Sequence, residues 1–414
     1  MYLNNFIESI RFRILTFQCI TLVSWLLLPL MSYASFIETT IGTAVVNDAT
    51  AAYFNPAALV LLKNSQIIPL LTWANFQTQF SGQSKTMATG FMQSGNSSST
   101  TDYFSPSFYL GLPIGNRFIL GFSAVSNSAN RDLDENSLLR YAQSSNTIQD
   151  YDFVPSIGIK INDFFSLGSG VNFSYTSFQL HPITGFPGSN IADSQSNNDS
   201  DGSGVGANVG FLLRPTASTL IGFDYRTVTT YRESGQSVFN GTTQLTSNNY
   251  HFQLRTPARS IFSISQMLTP KFGMIATIQR FQWSIIRNIN VYNFATAIGA
   301  KPIITSASIP YYLHNTWLFT LGGNYQFKPN WIIRVAGTYN QSPQNGNYQI
   351  STGNSYVLGA SLGYQMNKTI SLDGGYAHAF IQNQPINIIG NKFLINGVNQ
   401  AARDVVSLKM TVNV

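Results

Sequence analysis

The amino-acid sequence predicts an all-β fold, a transmembrane antiparallel β-barrel of about 14 strands with an N-terminal hatch (plug). Three observations support this fold class. Charged residues make up only 10% of the 414 residues, whereas soluble globular domains contain about 25%. Apolar and polar residues alternate in short segments, and the connections between these segments are sorted by length. The predicted parts are a signal peptide (1–34), the hatch (35–65) and the barrel (66–414).

Residues 1–34 have the pattern of an export signal. Arg11 and Arg13 precede an apolar stretch over residues 14–30, and Ser32-Tyr33-Ala34 is a small-x-small cleavage site. The alternative is a single membrane anchor. We favour the signal peptide because a proline and small residues lie where cleavage is expected.

Composition excludes several classes of protein. The one cysteine, Cys19, lies in the signal segment, so the mature chain is expected to contain no disulfide. The net charge is +6, but the basic residues are scattered and form no stripe suited to nucleic acid. Beyond the signal, no apolar run reaches the roughly 18 residues of a membrane helix. We therefore expect neither a nucleic-acid-binding protein nor a helical membrane protein.

Residues 35–65 differ from the rest of the chain because they lack strand alternation. They are rich in small residues and contain Asn47-Asp48-Ala49 and Asn55-Pro56-Ala57. A segment of this size at the closed end of a wide barrel is suited to be a plug. The alternative is a flexible periplasmic tail, but a tail would leave the apolar run over residues 57–62 poorly hidden.

The barrel strands are predicted from a period of two. In residues 369–380, Ile370, Leu372, Tyr376 and Phe380 share one face, and polar or small residues occupy the other. Residues 165–176 and 406–414 repeat the pattern. Because a soluble β-sandwich would alternate in the same way, the choice depends on the connections.

The connections form two alternating kinds. The short ones contain residues typical of hairpin turns and are Gly115-Asn116, Asn162-Asp163, Pro215-Thr216, Thr269-Pro270-Lys271, Lys328-Pro329-Asn330 and Met366-Asn367-Lys368. The long ones lie near 81–102, 128–150, 181–203, 232–249, 291–312, 342–354 and 382–402. Six short and seven long connections join fourteen strands, an even number, as bacterial single-chain barrels have.

The bilayer explains why this sheet must close. No water in the hydrocarbon region satisfies a strand edge, so the apolar face points outward and the polar face lines a lumen. Candidates for the interfacial aromatic girdles are Trp73, Trp283, Trp317 and Trp331.

Three basic residues lie on the polar phase of their strands, where a lumen tolerates charge. Lys160, Arg334 and Lys409 are therefore possible contacts for a ligand inside the barrel. The alternative is that they only line an aqueous lumen.

No set of residues points to catalysis or to a metal. The four histidines, His181, His251, His314 and His378, lie in no nucleophile turn and in no metal-spaced pair. The acidic run over residues 132–135 lacks the ligand spacing of a calcium loop. We expect neither an enzyme nor a cofactor.

The stretch from Asn47 to Leu59 resembles the N-terminal hatch of the FadL/TodX-type outer-membrane transporters of long-chain fatty acids and aromatic hydrocarbons. Asn55-Pro56-Ala57 matches the most recognisable motif of that family. Further segments in the family's order are Arg140-Tyr141, Val154 to Asp163, Ser166 to Gly170, Leu254 to Pro257, Gly337 to Pro343 and Ser371 to His378. The resemblance covers nearly the whole mature chain.

This resemblance implies a mechanism as well as a fold. A hydrophobic ligand, such as a fatty acid or hydrocarbon, would be captured among the extracellular loops, enter the barrel and leave sideways through a gap at a kinked strand. No energy source is implied. Asp48, Asn55, Pro56 and Ala57 would form the hatch beside that gap.

The resemblance also implies a location in the outer membrane of a Gram-negative bacterium. The expected partners are a hydrophobic small molecule and outer-membrane lipid, and the barrel is expected to be a monomer. Two other functions stay open from the sequence: a general porin for polar solutes, and a surface adhesin or receptor.

Overall fold

The computed structural model describes residues 43–414 except 88, 132–136, 142–144, 186, 187, 189, 191, 299, 300 and 390–392. The predicted signal peptide and residues 35–42 of the predicted hatch lie outside the described residues. Among the described residues, no helix is long and apolar enough to span a bilayer.

The described strands belong to one antiparallel sheet. They are β1 (Gln66–Thr86), β2 (Met92–Ile114), β3 (Phe118–Arg131), β4 (Ser145–Lys160), β5 (Phe165–His181), β6 (Ile183–Thr184), β7 (Ser194–Thr216), β8 (Thr219–Arg226), β9 (Thr229–Asn240), β10 (Leu245–Thr256), β11 (Arg259–Met267), β12 (Phe272–Phe281), β13 (Asn288–Ile298), β14 (Lys301–Pro310), β15 (Thr316–Lys328), β16 (Trp331–Asn340), β17 (Ser355–Gln365), β18 (Ile370–Ile381), β19 (Gln384–Ile389) and β20 (Phe393–Asn413).

The sheet closes into a barrel because β1 pairs with both β2 and β20. The wall has fourteen positions. Two of these positions each hold two strands that follow one another along the same line. One consists of β8 and β9, which are separated by residues 227–228, and the other consists of β10 and β11, which are separated by residues 257–258. The other positions are β1, β2, β3, β4, β5, β7, β12, β15, β16, β17, β18 and β20. The predicted 14-stranded barrel is confirmed.

Several strands extend into segments that we predicted as long loops. The β1–β2 pairing continues to Lys85 opposite Met92, inside the predicted loop 81–102. Likewise β9 and β10 occupy most of 232–249. The predicted loops 81–102 and 232–249 were therefore too long. Where a strand rises out of the membrane, water reaches both faces, so the alternation of apolar residues is lost although the hydrogen-bonded pairing continues.

The outward face forms an apolar band. Phe104 and Leu321, for example, are 60% and 59% exposed. On β15, large apolar side chains point outward from Trp317 to Phe327. The ten steps from residue 317 to residue 327 span roughly 33 Å along a strand and about 25 Å along the membrane normal at the usual tilt, which is the height of a lipid-facing band.

The tryptophans are not all placed as predicted. Trp317 lies on the outward face and is 42% exposed, and Trp331 contacts Tyr364 with ring centroids 4.5 Å apart. Trp283, however, lies in a 3-10 helix (Trp283–Ile285) and is 1% exposed inside the barrel. The girdle prediction was wrong for Trp283, because β12 ends at Phe281 and the chain turns inward there.

Residues 43–62 lie inside the barrel and are called the inner segment below. They comprise a 3-10 helix (Thr43–Val45), the helix α1 (Ala51–Phe54) and a second 3-10 helix (Pro56–Leu61). Their apolar side chains pack with inward-facing residues of the wall, among them Leu70, Tyr109 and Leu212. The inner segment is the described part of the predicted hatch.

Candidate functional site

The inner segment rests on a row of glycines in the barrel wall. Gly158 pairs with Gly168, and Gly168 pairs with Gly210, so that β4, β5 and β7 present no side chains at this level. A Cβ on Gly168 would collide with the backbone nitrogen of Ala57, and a Cβ on Gly210 would collide with Asn55 Oδ1. The glycines therefore allow the backbone of the inner segment to approach the wall closely.

Asn55-Pro56-Ala57 forms the turn that lies on these glycines. Asn55 Oδ1 caps the second 3-10 helix by accepting a hydrogen bond from Ala57 N at 3.1 Å. Its Nδ2 donates to Ala44 O at 2.7 Å and to Phe211 O on β7 at 3.2 Å. Pro56 is the first residue of that helix, a position where a missing N–H costs nothing. The Asn55 side chain thus stabilises the turn internally and also binds it to the rest of the inner segment and to the wall.

Asp48 joins the inner segment to the last strand. Lys409 Nζ on β20 donates to Asp48 Oδ2 at 3.0 Å, and both side chains are largely buried. The Thr50 backbone N–H donates to Asp48 Oδ1 at 3.0 Å. Burial acts to raise the pKa of Asp48, but Lys409 and the Thr50 hydrogen bonds outweigh it and hold that pKa below its usual value. The sequence had singled out both residues without pairing them.

A second anchor was not found from the sequence. The Tyr53 hydroxyl of α1 donates to Asp152 Oδ2 on β4 at 2.9 Å. Arg226 Nη2 on β8 donates to Tyr53 O at 2.6 Å, and its guanidinium lies 3.9 Å from the centroid of the Tyr53 ring. Burial and the Asp152 carboxylate raise the pKa of the Tyr53 hydroxyl, which therefore stays a hydrogen-bond donor. In the sequence, Asp152 and Arg226 were recognisable only as residues at the inward-facing positions of their strands.

A small cavity of about 50 Å³, lined by charged, polar and aromatic side chains, lies beside this anchor. Arg259 of β11 is the cross-strand partner of Arg226, so two buried arginines face the cavity. Tyr231 and Phe281 complete part of its lining. The cavity is too small for a hydrophobic molecule of many carbon atoms.

Above the cavity, the lumen is lined by apolar side chains. They come from β4, β5, β9, β10, β12, β13 and β14 and from the turn at Trp283. Rings pack directly on one another, as Phe178 and Phe252 do at 5.6 Å between centroids. The members are Ile148, Phe178, Leu180, Tyr231, Tyr250, Phe252, Leu254, Phe281, Trp283, Ile286, Ile289, Val291, Phe294, Ala307, Ile309, Tyr311 and Leu313. We call this set the lumen lining.

A second apolar cluster lies under the extracellular loops. Leu138, Leu139 and Tyr141 pack with side chains that include Phe80 and Phe393. The Tyr141 hydroxyl donates to Asp193, with oxygen distances of 2.7 and 2.8 Å. Burial, together with this hydrogen bond, raises the pKa of Tyr141 to about 12. The Arg140-Tyr141 pair named in the sequence therefore helps to hold an apolar surface at the mouth of the barrel.

The wall is interrupted between β2 and β3. Their pairing ends at Ser107 opposite Val125, whereas β3 continues to Arg131 in full pairing with β4. Residues 92–106 of β2, which precede Ser107 in the chain, pair with β1 alone. Val125 and Tyr109 pack with the inner segment, so the interruption begins directly above it.

The other two predicted lumen cations lie away from the inner segment. Lys160 is at the periplasmic end of β4, where its Nζ forms an ion pair with Asp163 Oδ1 at 2.6 Å. Arg334 of β16 forms an ion pair with Asp373 of β18. Of the three predicted cations, the structure brings only Lys409 to the inner segment.

Three solved structures have similar folds. A FadL homologue of Pseudomonas aeruginosa is 20% identical, with a TM-score of 0.80 over 90% of this chain and 96% of that one. The toluene transporter TodX of Pseudomonas putida is 14% identical, with a TM-score of 0.70 over 91% and 97%. The toluene transporter TbuX of Ralstonia pickettii is 16% identical, with a TM-score of 0.66 over 90% and 97%. No curated protein sequence matches the chain.

These likenesses establish the fold. The family follows from the sequence itself, because residues 39–412 match the model of the outer membrane protein transport proteins (OMPP1/FadL/TodX). That match covers nearly the whole barrel and all of the inner segment. The expected resemblance and the outer-membrane location are thereby confirmed: the chain belongs to the OMPP1/FadL/TodX family of outer-membrane transport proteins.

Proposed function

We propose that this protein takes up hydrophobic small molecules, long-chain fatty acids or related hydrocarbons, by passive passage across the outer membrane. The ligand is captured by the apolar cluster under the loops and moves into the lumen lining. The inner segment acts as the hatch, and the ligand leaves sideways through the wall. The chain belongs to a family of transport proteins and is not an enzyme.

The lumen lining carries this proposal. A general porin needs a hydrated channel, because its polar solutes would lose their hydration shell against apolar walls. Here the upper lumen is filled by side chains such as Phe178, Phe252 and Trp283. A hydrophobic ligand that separates these side chains replaces one apolar contact by another and exposes little apolar surface to water.

The hatch role rests on how the inner segment is held. Asp48 with Lys409 and Tyr53 with Asp152 and Arg226 fix it to opposite parts of the wall through polar contacts. Asn55, Pro56 and Ala57 lie on flat glycine backbone. Such a segment can detach without tearing the sheet, because none of its backbone is part of the strand pairing.

We place the lateral exit at the interruption between β2 and β3. It begins at Ser107 and Val125, next to the inner segment. Phe104 lies beside it on the outward face and is 60% exposed, so the interruption opens within the upper part of the apolar band. A ligand leaving here would pass directly into lipid. Because the wall closes within a single chain, we propose that the barrel works as a monomer.

The experiment compares the full mature chain with a variant lacking residues 43–62, both in planar bilayers and in liposomes loaded with a fatty-acid-binding dye. We expect the intact protein to admit fatty acid or naphthalene while conducting few ions. The deletion should raise ion conductance several-fold. High conductance of the intact protein to ions and sugars, unchanged by the deletion, would instead establish a porin.

A further inference from the structure

The outward face of β9, β10 and β12 carries a cluster of arginines. Arg232, Arg255 and Arg280 point away from the lumen, and Arg287 lies in the segment before β13. All four residues are exposed. We call these four residues the basic patch. None of them takes part in the hatch contacts or in the lumen lining.

Strand register places Arg232 and Arg255 next to each other and Arg280 on the same side of the barrel. Arg232 pairs with Gln253, and Arg255 pairs with Thr230, so the two arginines are diagonal neighbours on one face of β9 and β10. Arg280 follows on β12, where its guanidinium lies 5.7 Å from the centroid of the Trp317 ring. The positive charges are therefore gathered on one side of the barrel.

The patch lies at the extracellular edge of the apolar band. One row of paired residues crosses four neighbouring strands in the order Tyr225, Ser260, Arg280 and Trp317. Below this row the outward residues are apolar: Phe223, Phe262, Ile278 and Phe319. Above it they are polar: Thr230, Arg232, Ser234, His251, Gln253 and Arg255. This is the height at which the lipid headgroups of the outer leaflet meet the barrel.

A groove of about 390 Å³ adjoins the patch. The strands β10 and β13 pair only at His251 with Tyr292 and at Phe252 with Val291, and they separate below these pairs. The stacked rings of His251 and Tyr292, 5.0 Å apart, close the upper end. The separation leaves a recess with a polar part, formed by His251, Gln253, Arg255, Asn288, Asn290 and Tyr292, and an apolar part that it shares with the lumen lining, formed by Phe252, Ile285, Ile286 and Ile289.

The arginines of the patch have no ion-pair partner within the described part of the chain. No ion pair joins any of its four arginines to a described acidic side chain. On the adjacent strand β7, Asp199 and Asp201 also face outward. Asp201 accepts a hydrogen bond from the Tyr175 hydroxyl at 2.7 Å, and Asp199 pairs with Gln236, four residues along β9 from Arg232. Glu233 points into the barrel and is buried. Guanidinium groups without an ion-pair partner at a lipid surface favour an anion from outside the chain.

We propose that the basic patch and its groove bind the phosphate-bearing headgroup of a glycolipid in the outer leaflet. Guanidinium groups bind phosphate oxygens in pairs of parallel hydrogen bonds, and two neighbouring arginines match the charge of a phosphomonoester. The amides of Gln253, Asn288 and Asn290 offer donors and acceptors to sugar hydroxyls. The acyl chains then lie along the apolar band, on Phe262 and Phe319.

The test measures lipid retention by native mass spectrometry and thermal stability of the full mature chain in detergent. The probes are diphosphorylated lipid A, the same lipid without phosphates, and inorganic phosphate. We expect lipid A to bind and to raise the melting temperature, with at least tenfold weaker binding of the dephosphorylated lipid. The variant R232Q/R255Q/R280Q should lose at least tenfold in affinity for lipid A, and R255Q alone should lose part of it.

The control variant K271Q/K328Q/K368Q removes the same charge at exposed periplasmic turns and should bind lipid A normally. Hydrophobic uptake should stay unchanged in both triple variants, which separates this site from the proposed transport. Equal loss in the two triple variants would show only a general charge effect and would overturn the proposal. Equal binding of inorganic phosphate at the patch would assign it to free phosphate and overturn the lipid assignment.

Discussion

Gly168 occupies the point where the backbone of the inner segment meets the wall. A Cβ there would collide with the backbone of Ala57, which cannot rotate away as a side chain could. We expect Gly168→Ala to cost about 1–3 kcal/mol, as overpacking usually does, and to raise ion conductance by lifting the segment. Urea unfolding and planar-bilayer recordings measure the two effects.

Gly374→Ala is the matched control, because a Cβ at Gly374 would meet no atom within 4 Å. It should leave both stability and conductance near those of the parent protein. The same result for Gly168→Ala would mean that the inner segment does not rest on this glycine.

The pair of Asp48 and Lys409 gives a second prediction at this scale. Replacing Lys409 by Met leaves the Asp48 carboxylate without its cation in a largely buried site, and such losses cost about 3–5 kcal/mol. Hydrogen exchange of residues 43–62 should therefore quicken in the K409M variant. Adding D48N should restore most of the protection, because no buried charge is then left; if the double variant exchanges as fast as the single, the ion pair is not the anchor.

Single residues of the site differed in how far the sequence could predict them. Asn55-Pro56-Ala57 was recognisable because its chemistry is local: a capping side chain and a proline at a helix start. Tyr53 and Arg226 were not, because their contacts join residues 173 positions apart. A buried arginine and a lumen-lining arginine occupy the same phase of a strand, and only the position of the inner segment distinguishes them.

At the scale of elements, strand alternation predicted the wall only within the membrane. Lipid on one face and a lumen on the other impose a period of two on β12 and β15, so their number and order were predictable. The upper parts of β1 and β2 have water on both faces, which removes that constraint. The hairpin of β13 and β14 was missed for a different reason, since its inward residues join the lumen lining inside a segment read as a loop.

The interruption between β2 and β3 gives the prediction at this scale. Ser105 lies on β2 two residues before Ser107, which forms the last pair with β3, and its side chain is buried. A tryptophan at this position should fill the opening and lower hydrophobic uptake at least fivefold without raising ion conductance. Fluorescent fatty acid uptake into liposomes measures the first effect, and bilayer recordings measure the second.

Ser407→Trp introduces the same bulk at a buried position of β20, whose neighbours β1 and β18 pair with it on both sides. Uptake should be much less affected there. If S105W and S407W lower uptake equally, the exit does not lie between β2 and β3.

At the scale of the whole molecule, the barrel has an outer surface that contacts lipid and an inner surface that would contact the ligand. The outside matches lipid through its apolar band, and the lumen lining gives the inside an apolar surface above the inner segment, where a hydrophobic ligand would collect. Polar contacts hold the inner segment against the wall. Uptake therefore requires the inner segment to move while the strand pairing of the fourteen-stranded wall stays intact.

A disulfide between the inner segment and the wall tests that requirement most directly. A Cβ on Gly111 would lie 3.3 Å from Ala49 Cβ, close to the roughly 3.5–4.5 Å of a disulfide. The variant is A49C/G111C with Leu62→Ala, since the Leu62 side chain would otherwise collide with the new Cβ. Uptake of a fluorescent fatty acid is measured before and after reduction. If the inner segment must move, uptake is lost in the oxidised protein and returns on reduction. Full uptake by the oxidised protein would show that this movement is not needed.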